Sequence, residues 1–543
     1  MKSSIKNILT ALFLITQCVY VYTQSLTNKM LVKVDSVFTS HYNDNIAAGA
    51  FAVIKNGDVI FRKTTGLANI EHRVPASGKT VFNIASNSKQ FTALLALILE
   101  EEGKLSLQDD IRMYLPELKD LPHKITIKQL TNHTHGLPNV DELAQIKGIN
   151  RMTHNEVLNM LFNIRQFNFI PGGAYQYSNT GYVLLSQIIE RVGKKPYNEQ
   201  LQQKIFDKLG MNDSESVGDY TEVIQNKAYS YVPVGEGYAN NPVKLSTMGS
   251  SGVYASLDDL IKWCQNFIKT DHPYKRHLKK MQEPTMLTSG KVIEYGMGIQ
   301  FENYKGIDIV FHGGGTESYR SYILHVPKHK LSFVFLSNTG GIAGYDIIYS
   351  SLEILLHSFM EKEQPFLKTA DLTAYEGTYK LNSSLYLSVW AEKDSLYFGT
   401  YRTQEKTFLP QKSRHTFSFI WPFSKLTFHR DSFDLRFVDF TYTARRVIPP
   451  VLKNPDIDLS RYVGTYKNAQ HESSFELVLM NGQLIVKHPV FNNVELTMYS
   501  GTVFYTQNSA FGEIDFYFDK DGNVKGCKLS RQNIHNIMFC KTK

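Results

Sequence analysis

Phe82-Asn83-Ile84-Ala85-Ser86-Asn87-Ser88-Lys89 has the pattern of a strand that turns into a helix and ends in Ser-x-x-Lys. In a helix that begins at Ser86, a residue three positions later lies on the same face, so the Lys89 amine can reach the Ser86 hydroxyl. A lysine whose pKa is lowered by burial can accept the serine proton, and a helix N-terminus favours the resulting anion. Ser86 is therefore a candidate nucleophile and Lys89 its candidate base.

A second group of residues supports this interpretation, which the tetrapeptide alone does not secure because residues 3–6 also read Ser-x-x-Lys. Residues 171–179, Pro-Gly-Gly-Ala-Tyr-Gln-Tyr-Ser-Asn, form a turn that presents Tyr-x-Asn before a new helix. Tyr177 can relay a proton to a leaving group, and the Asn179 amide can hold both the lysine and a substrate carbonyl. Residues 238–240 have the same spacing, but they lie in a predicted polar loop without a following helix and are predicted to be surface.

The third group is His312-Gly313-Gly314-Gly315, at the end of a predicted strand. Glycines at this place leave room for a substrate, which a bulky side chain would block. Backbone N–H groups at such an edge, together with that of Ser86, can form an oxyanion hole. His312, Gly314 and Gly315 are therefore candidate substrate-binding residues.

These motifs, in this order, resemble those of the class C β-lactamase family of serine hydrolases, which includes D-aminopeptidases and DD-peptidases. The likeness extends over about residues 40 to 360 and includes further segments at 130–138, 251–256 and 295–298. The resemblance implies an acyl-enzyme mechanism that uses no metal or cofactor. It assigns roles to these residues: Ser86 as nucleophile, Lys89 as base, Tyr177 and Asn179 as the proton-handling and substrate-holding pair, His312 as head of the third motif, and Ser86 and Gly315 as oxyanion donors.

Two departures from the family pattern bear on the substrate. The third motif of true β-lactamases usually begins with lysine, whose fixed charge meets the substrate carboxylate. His312 stands there instead, as in D-aminopeptidases and some esterases of the family, and a neutral imidazole predicts poor activity on carboxylate-bearing substrates. After the glycines the chain reads Thr316-Glu317-Ser318-Tyr319, where family members often have a further glycine. Glu317 there either attracts a free substrate amine or is a solvated surface residue. His133 and His135 suggest a metal pair on sequence alone, but they are interpreted as structural because the family places a histidine in this loop without metal.

The pattern around the motifs predicts an α+β fold. Two β-branched runs flank Asn56-Gly57, a strong hairpin signal, and three more strands follow between residues 307 and 336. Helical spacing of apolar residues lies between them, as in residues 91–99. An antiparallel sheet built from both ends of this segment, with a helical inset, is the expected architecture.

The C-terminal part contains an internal repeat. Residues 375–380, Tyr-Glu-Gly-Thr-Tyr-Lys, recur as residues 462–467, Tyr-Val-Gly-Thr-Tyr-Lys, and alternating strands follow each copy. Duplication of a small all-β barrel explains this better than one long sheet. The same resemblance supports this view, since D-aminopeptidases of the family carry two such domains. The predicted division is a signal peptide at 1–24, a hydrolase domain at 25–362, and two β-barrel domains at 366–450 and 455–543.

Composition and the N-terminus indicate an exported globular protein. Of the 543 residues 42% are hydrophobic, and the net charge of +8 is scattered, which argues against a nucleic-acid site. Lys2 and Lys6 precede the apolar run 8–15, as in a secretory signal that is too short for a transmembrane anchor. Residues 15–17 match a lipobox poorly, so lipidation of Cys18 is not the preferred interpretation. The expected location is the periplasm or the medium.

Three cysteines remain after signal removal, which is too few for a disulfide framework or a zinc site. Cys527 and Cys540 lie in neighbouring predicted strands, and two interpretations stay open: a disulfide, or two unlinked buried thiols.

The sequence therefore predicts an exported serine hydrolase that forms an acyl-enzyme on an amide or ester, with a small peptide or D-aminoacyl compound as substrate. A carboxylesterase, or a weak β-lactamase or DD-peptidase, is the alternative within enzymes. An inactive sensor of cell-wall fragments is the alternative from another class.

Overall fold

The computed structural model describes residues 28–149, 156, 160–161, 166–244, 247–269, 271–341, 343–361, 371–381, 386–400, 406–419, 424–437, 440–448, 457–469, 472–491, 493–498, 501–506, 511–531 and 534–542. The predicted signal peptide, Cys18 and the expected domain boundaries near residues 365 and 453–455 lie outside them.

A six-stranded antiparallel sheet forms the centre of the hydrolase region. Its strands are β1 (Gly49–Lys55), β2 (Asp58–Thr65), β3 (Gln300–Tyr304), β4 (Ile307–Thr316), β5 (Tyr319–Val326) and β6 (Leu331–Ser337). The order β3-β4-β5-β6-β1-β2 places the first strand beside the last, with Gly49 opposite Ser337. The predicted hairpin at Asn56-Gly57 is confirmed, and both turn residues have the positive φ that a tight hairpin needs, 55° and 95°.

Helices cover both faces of this sheet. The main ones are α1 (28–41), α2 (Ser88–Glu101), α3 (Ile127–Thr131), α4 (Val140–Lys147), α5 (Asn179–Gly193), α6 (Leu257–Ile268) and α7 (Ala343–Leu356). Residues of α1 and α7 share one hydrophobic core with alternate residues of the strands, while α2, α5 and α6 form the other core. Because α2 is buried along its apolar run 91–99, it runs through the middle of the inset.

Short elements complete the hydrolase region. Short helices span Tyr197–Leu201, Asp207–Leu209 and Lys275–Met281. Short strands span Leu67–Asn69, Val74–Pro75, Val81–Asn83, Glu215–Ser216, Tyr231–Val234, Gly237–Asn240, Val253–Ser256, Thr285–Met286 and Val292–Ile293. The Tyr-x-Asn match at 238–240 falls in one of these strands rather than in the expected loop, and Asn240 is exposed.

Two eight-stranded β structures follow. The first contains β7 (Gly377–Lys380), β8 (Tyr386–Glu392), β9 (Ser395–Thr400), β10 (Thr407–Leu409), β11 (Thr416–Phe417), β12 (Ser424–Phe428), β13 (Ser432–Phe437) and β14 (Phe440–Val447). Its two edges meet at a bridge between Gln411 and Phe417. The second is a closed barrel of β15 (Gly464–Asn468), β16 (Ser473–Met480), β17 (Gln483–Lys487), β18 (Val494–Met498), β19 (Val503–Thr506), β20 (Glu513–Phe518), β21 (Val524–Arg531) and β22 (Ile534–Lys541).

The sequence repeat has the same structure in both barrels. The Tyr379 hydroxyl donates to the Tyr375 carbonyl over 2.8 Å, and the Tyr466 hydroxyl donates to the Tyr462 carbonyl over 2.7 Å. The glycine between each pair has a φ of 149° and 147°, respectively. Equal geometry at equivalent positions supports duplication of one barrel.

Both barrels rest on the hydrolase region. In the second barrel, the His488 imidazole donates to the Ile146 carbonyl of α4 over 2.9 Å, and Glu472 lies 3.0 Å from Lys147. In the first barrel, Lys425 lies 3.2 Å from Glu302 of β3. The barrels therefore contact α4, which follows the loop 130–138, and β3, which pairs with the strand that carries the third motif.

The cysteines resolve the alternative left open by the sequence. Cys527 and Cys540 are both free thiols. Gly526, not Cys527, is the residue opposite Cys540, so the two side chains point to opposite faces of the sheet. Cys527 is buried and Cys540 is exposed, so the expectation of a second buried thiol was wrong for Cys540.

Within the described residues, no helix combines the length and apolar character needed to cross a bilayer.

Candidate active site

Ser86 lies in a tight turn between a short strand and α2. The turn is a single 3-10 turn, Ala85–Asn87, and α2 itself begins at Ser88. Ala85 has a φ of 48°, a left-handed conformation that a residue with a side chain adopts only when its surroundings enforce it. The Asn83 side chain accepts the Ala85 N–H over 2.8 Å and stabilises this conformation.

A series of hydrogen bonds connects the turn to α6 and β5. The Trp263 indole donates to Gln90 over 3.0 Å, and the Gln90 amide donates to Asn87 over 2.8 Å. Asn87 donates to the Ser321 hydroxyl over 2.8 Å, and Ser321 donates to the Ile84 carbonyl over 2.6 Å. The turn is thereby tied to β5, which is the strand next to the third motif.

The Lys89 amine is completely buried beside Ser86. Its Nζ lies 3.1 Å from Ser86 Oγ, 2.8 Å from Asn179 Oδ1 and 2.8 Å from the Ser250 carbonyl oxygen. The two carbonyl oxygens can only accept hydrogen bonds. A neutral Lys89 amine that donates its two protons to them has its lone pair directed at the Ser86 hydroxyl. This arrangement can remove the serine proton.

Asn179 is held in one orientation by a residue that sequence reasoning missed. It is the first residue of α5, and its Nδ2 donates to the Asp141 carboxylate of α4 while its Oδ1 faces Lys89. Asp141 Oδ1 is buried and has no hydrogen-bond partner in the part of the chain that the structure describes. Burial raises the pKa of Asp141, and the bond from Asn179 and the charge of Lys89 oppose this shift. Asp141 carries no sequence signal, since it lies outside the recognised segments.

Tyr177 lies between the lysine and the third motif. Its ring centroid is 4.9 Å from Lys89 Nζ, 4.3 Å from the His133 ring and 6.1 Å from the His312 ring. The Tyr-x-Asn turn thus brings both of its motif residues to the lysine, as the spacing predicted.

The third motif passes along the nucleophile turn. Strand β5 pairs with β4 as far as Thr316, whereas β3 pairs with the other edge of β4 only as far as Phe311, and in the described residues no strand pairs with that edge beyond this point. A Cβ placed on Gly314 would lie 2.3 Å from the Ile84 carbonyl oxygen and 3.2 Å from the Ser86 nitrogen. Only glycine therefore allows this contact. Position 315 belongs to the opposite face of the sheet from Gly314, and Arg320, which pairs with Gly315, lies on that opposite face too.

His312 is fully buried and both of its ring nitrogens have partners. Nε2 lies 3.1 Å from the Tyr295 hydroxyl, and Nδ1 lies 2.6 Å from the Gly313 carbonyl oxygen. Burial, and next the charge of Lys89, lower the pKa of His312 to about 3. The imidazole is therefore uncharged at neutral pH.

Glu317 is half-buried at the edge of the site. It has a left-handed φ of 43° and accepts hydrogen bonds from the Thr316 hydroxyl (2.6 Å) and the Lys244 backbone N–H (3.2 Å). Burial raises the pKa of Glu317, and its hydrogen bonds to Thr316 and to the Lys244 N–H oppose this shift. Glu317 is thus not a freely solvated surface residue.

The comparison with known proteins agrees with this geometry. The sequence profile of the β-lactamase family matches residues 34–349. The chain belongs to the β-lactamase family. It is a β-lactamase-family serine hydrolase, similar to D-aminopeptidases and penicillin-binding proteins, with two β-barrels after the hydrolase fold.

Three relatives illustrate the likeness. A penicillin-binding protein of Bacillus subtilis is 29% identical over 377 residues, 64% of this chain and 83% of that protein. The D-aminopeptidase of Gluconobacter oxydans is 29% identical over 335 residues, which span 61% of this chain and 62% of the aminopeptidase. The structure of the octameric penicillin-binding protein homologue from Pyrococcus abyssi matches with a TM-score of 0.54 and 25% identity, over 77% of this chain and 99% of that one.

Proposed function

We propose that this protein is an exported hydrolase that acylates Ser86 with the acyl group of an amide or ester and then releases that group to water. The observation that carries the proposal is the position of Lys89 Nζ, 3.1 Å from Ser86 Oγ and bound on its other sides to two carbonyl oxygens. An amine in this position can accept the Ser86 proton.

The proposed acylation begins when Ser86 Oγ attacks the substrate carbonyl carbon and its proton passes to Lys89. The carbonyl oxygen becomes an oxyanion, and the backbone N–H groups of Ser86 and Gly315 are the proposed donors to it. Collapse of the tetrahedral intermediate breaks the bond to the leaving group, which takes the proton from Lys89 through Tyr177. Water then attacks the acyl-Ser86 ester by the same route in reverse, and the free acid leaves.

The charges around the site support a substrate with a free amine. His312 is uncharged, and Arg320 faces away from Ser86 and donates to the carbonyls of Glu317 and Tyr319 (3.0 and 2.7 Å). Two carboxylates lie near the site instead: Asp141 accepts from Asn179, and Glu317 follows the strand of the third motif. A partly buried carboxylate binds an ammonium more strongly than a solvated one. A D-aminoacyl amide or small peptide fits these charges, in agreement with the D-aminopeptidase relative.

Covalent labelling with a fluorophosphonate probe tests the acylation. The wild type is expected to gain one adduct on Ser86, and Ser86→Ala none. Ser289→Ala is the matched control. It removes an exposed serine hydroxyl that is distant from Ser86 in the sequence, and it should label like the wild type. An adduct that persists in Ser86→Ala would refute the assignment, and no adduct in the wild type would favour the inactive sensor.

A substrate panel separates the enzyme alternatives. D- and L-aminoacyl p-nitroanilides, uncharged nitrophenyl esters and nitrocefin report aminopeptidase, carboxylesterase and β-lactamase activity, respectively. We expect kcat/KM to be greatest for a D-aminoacyl amide, since neither an ester nor a β-lactam uses the two carboxylates. Greatest activity on nitrocefin would restore the β-lactamase interpretation.

Export is part of the proposal and rests on residues 1–24. N-terminal sequencing of protein from the periplasm and the medium should find a chain that starts near residue 25. An intact N-terminus in the cytoplasmic fraction would contradict it.

A further inference from the structure

Tyr295 lies between the second and third motifs, and no step of the proposed reaction uses it. Its hydroxyl is 3.0 Å from Nε2 of His133 and 3.1 Å from Nε2 of His312. All three side chains are buried, with at most 1% exposed. A tyrosine hydroxyl has one proton, so it can donate to at most one of the two imidazoles.

The outer ends of this cluster determine which imidazole donates. The Ser178 backbone N–H donates to Nδ1 of His133 over 3.2 Å, so that nitrogen carries no proton. Nδ1 of His312 lies 2.6 Å from the Gly313 carbonyl, which only accepts, so that nitrogen carries the proton. Burial lowers the pKa of both histidines, which therefore have one N–H each at neutral pH. His133 thus carries its proton on Nε2 and His312 on Nδ1.

The hydrogen bonds consequently run in one direction. The Ser178 N–H donates to His133, His133 donates to Tyr295, Tyr295 donates to His312, and His312 donates to the Gly313 carbonyl. Every donor and acceptor in this series of hydrogen bonds has a partner, and no group in it has to be charged. A reversal at one point would leave two acceptors or two donors facing each other in a buried site.

This series of hydrogen bonds connects the second and third motifs, whose separation must stay fixed. Ser178 stands between the two residues of the Tyr-x-Asn motif, and Gly313 directly precedes the glycine that touches the nucleophile turn. The same segment also contacts the first motif, since a Cβ placed on Gly298 would lie 2.8 Å from the Lys89 carbonyl oxygen. Residues 295–298 therefore touch all three motifs.

We propose that Tyr295 is a positioning residue for the acylation of Ser86. Its hydroxyl sets the separation of the second and third motifs and holds His312 as the Nδ1–H tautomer. Because the Tyr295 proton occupies Nε2 of His312, the third motif has no imidazole N–H to offer a substrate carboxylate. The proposal rests on the proposed function, because its kinetic effect is an effect on acylation.

The tautomers test the proposal without any substrate. In wild-type protein with 15N-labelled histidine, His312 should be protonated on Nδ1 and His133 on Nε2 across the neutral range. Spectra of His312→Gln and His133→Gln assign the two signals among the 17 histidines of the chain. A His312 protonated on Nε2 would overturn the proposal, even if every variant of Tyr295 failed to fold.

Tyr295→Phe tests the kinetic consequence. It keeps the ring packed against His133 (centroids 4.7 Å apart) and removes only the hydroxyl. We expect acylation by the fluorophosphonate to slow by about 10- to 100-fold, with the affinity for the probe little changed, and the His312 signal to change tautomer. A folded Tyr295→Phe that reacts within about twofold of the wild-type rate would refute the proposal.

Tyr42→Phe is the matched control. The Tyr42 hydroxyl is also buried and donates to Ser337 over 3.0 Å, but it lies in the core on the other face of the sheet. Its loss should lower Tm and leave the acylation rate and the His312 tautomer unchanged. If the wild type does not react with the probe, the proposed function fails, whereas the tautomer measurement still decides the role of the Tyr295 hydroxyl.

Discussion

Gly314→Ala tests how closely the third motif must pass the nucleophile. The added methyl would lie 2.3 Å from the Ile84 carbonyl oxygen and 2.4 Å from Ser321 Oγ. Ordinary carbon–oxygen contacts are longer, so β4 and the Ser86 turn must separate by about 1 Å. A displacement of this size in a site that positions its reactants costs up to about 100-fold in rate, or roughly 2.7 kcal/mol of transition-state stabilisation.

The assay is the rate of fluorophosphonate labelling, followed at a temperature well below Tm so that loss of folding does not contribute. Gly315→Ala is the matched comparison, because its methyl would point to the other face and meet the flexible Arg320 guanidinium at 3.3 Å. It keeps the backbone N–H and should lose much less activity than Gly314→Ala. Equal losses in the two variants, or a loss below about threefold for Gly314→Ala, would refute the reasoning.

Four further predictions follow from the site and the domain arrangement. Lys89→Ala should reduce kcat by more than about tenfold, and the double variant with Ser86→Ala should be barely worse than either, because residues that act as one unit are not additive; a Lys89→Ala variant with more than a tenth of the activity would place the base elsewhere. The KM for an aminoacyl amide should rise as the pH falls through the raised pKa of Glu317, since the carboxylate loses the charge that attracts the ammonium; KM–pH profiles should show this rise in the wild type and a weaker one in Glu317→Gln, while an uncharged ester shows none. His312→Lys should lower both Tm and the labelling rate rather than create a β-lactamase, because it buries a cation and removes two ring hydrogen bonds worth about 1–3 kcal/mol each; efficient nitrocefin hydrolysis by this variant would contradict that. Limited proteolysis should cut near residues 361–365 and release a hydrolase fragment, and a resistant chain without a cut there would argue against the predicted division.

The sequence by itself determined the parts of the site that depend on local geometry. Ser86 and Lys89 are three residues apart at a strand-to-helix junction, and this spacing in that local structure places an amine beside a hydroxyl. The Asn56-Gly57 hairpin depends only on the backbone freedom of two turn residues. The barrel repeat could be predicted because each copy carries its own turn and strand pattern. These features needed no knowledge of what lies across the site.

Tertiary structure decided which groups complete the site. The Ser250 carbonyl, the Asp141 carboxylate and the Tyr295 hydroxyl come from separate segments, and only the packing of α4, α5 and the sheet brings them to Lys89, Asn179 and His312, respectively. A backbone carbonyl leaves no trace in the amino-acid type, and Asp141 reads like any acidic residue in the first turn of a helix. The opposite orientation of Cys527 and Cys540 likewise depends on the register of β21 against β22, and a shift of one residue would have reversed it.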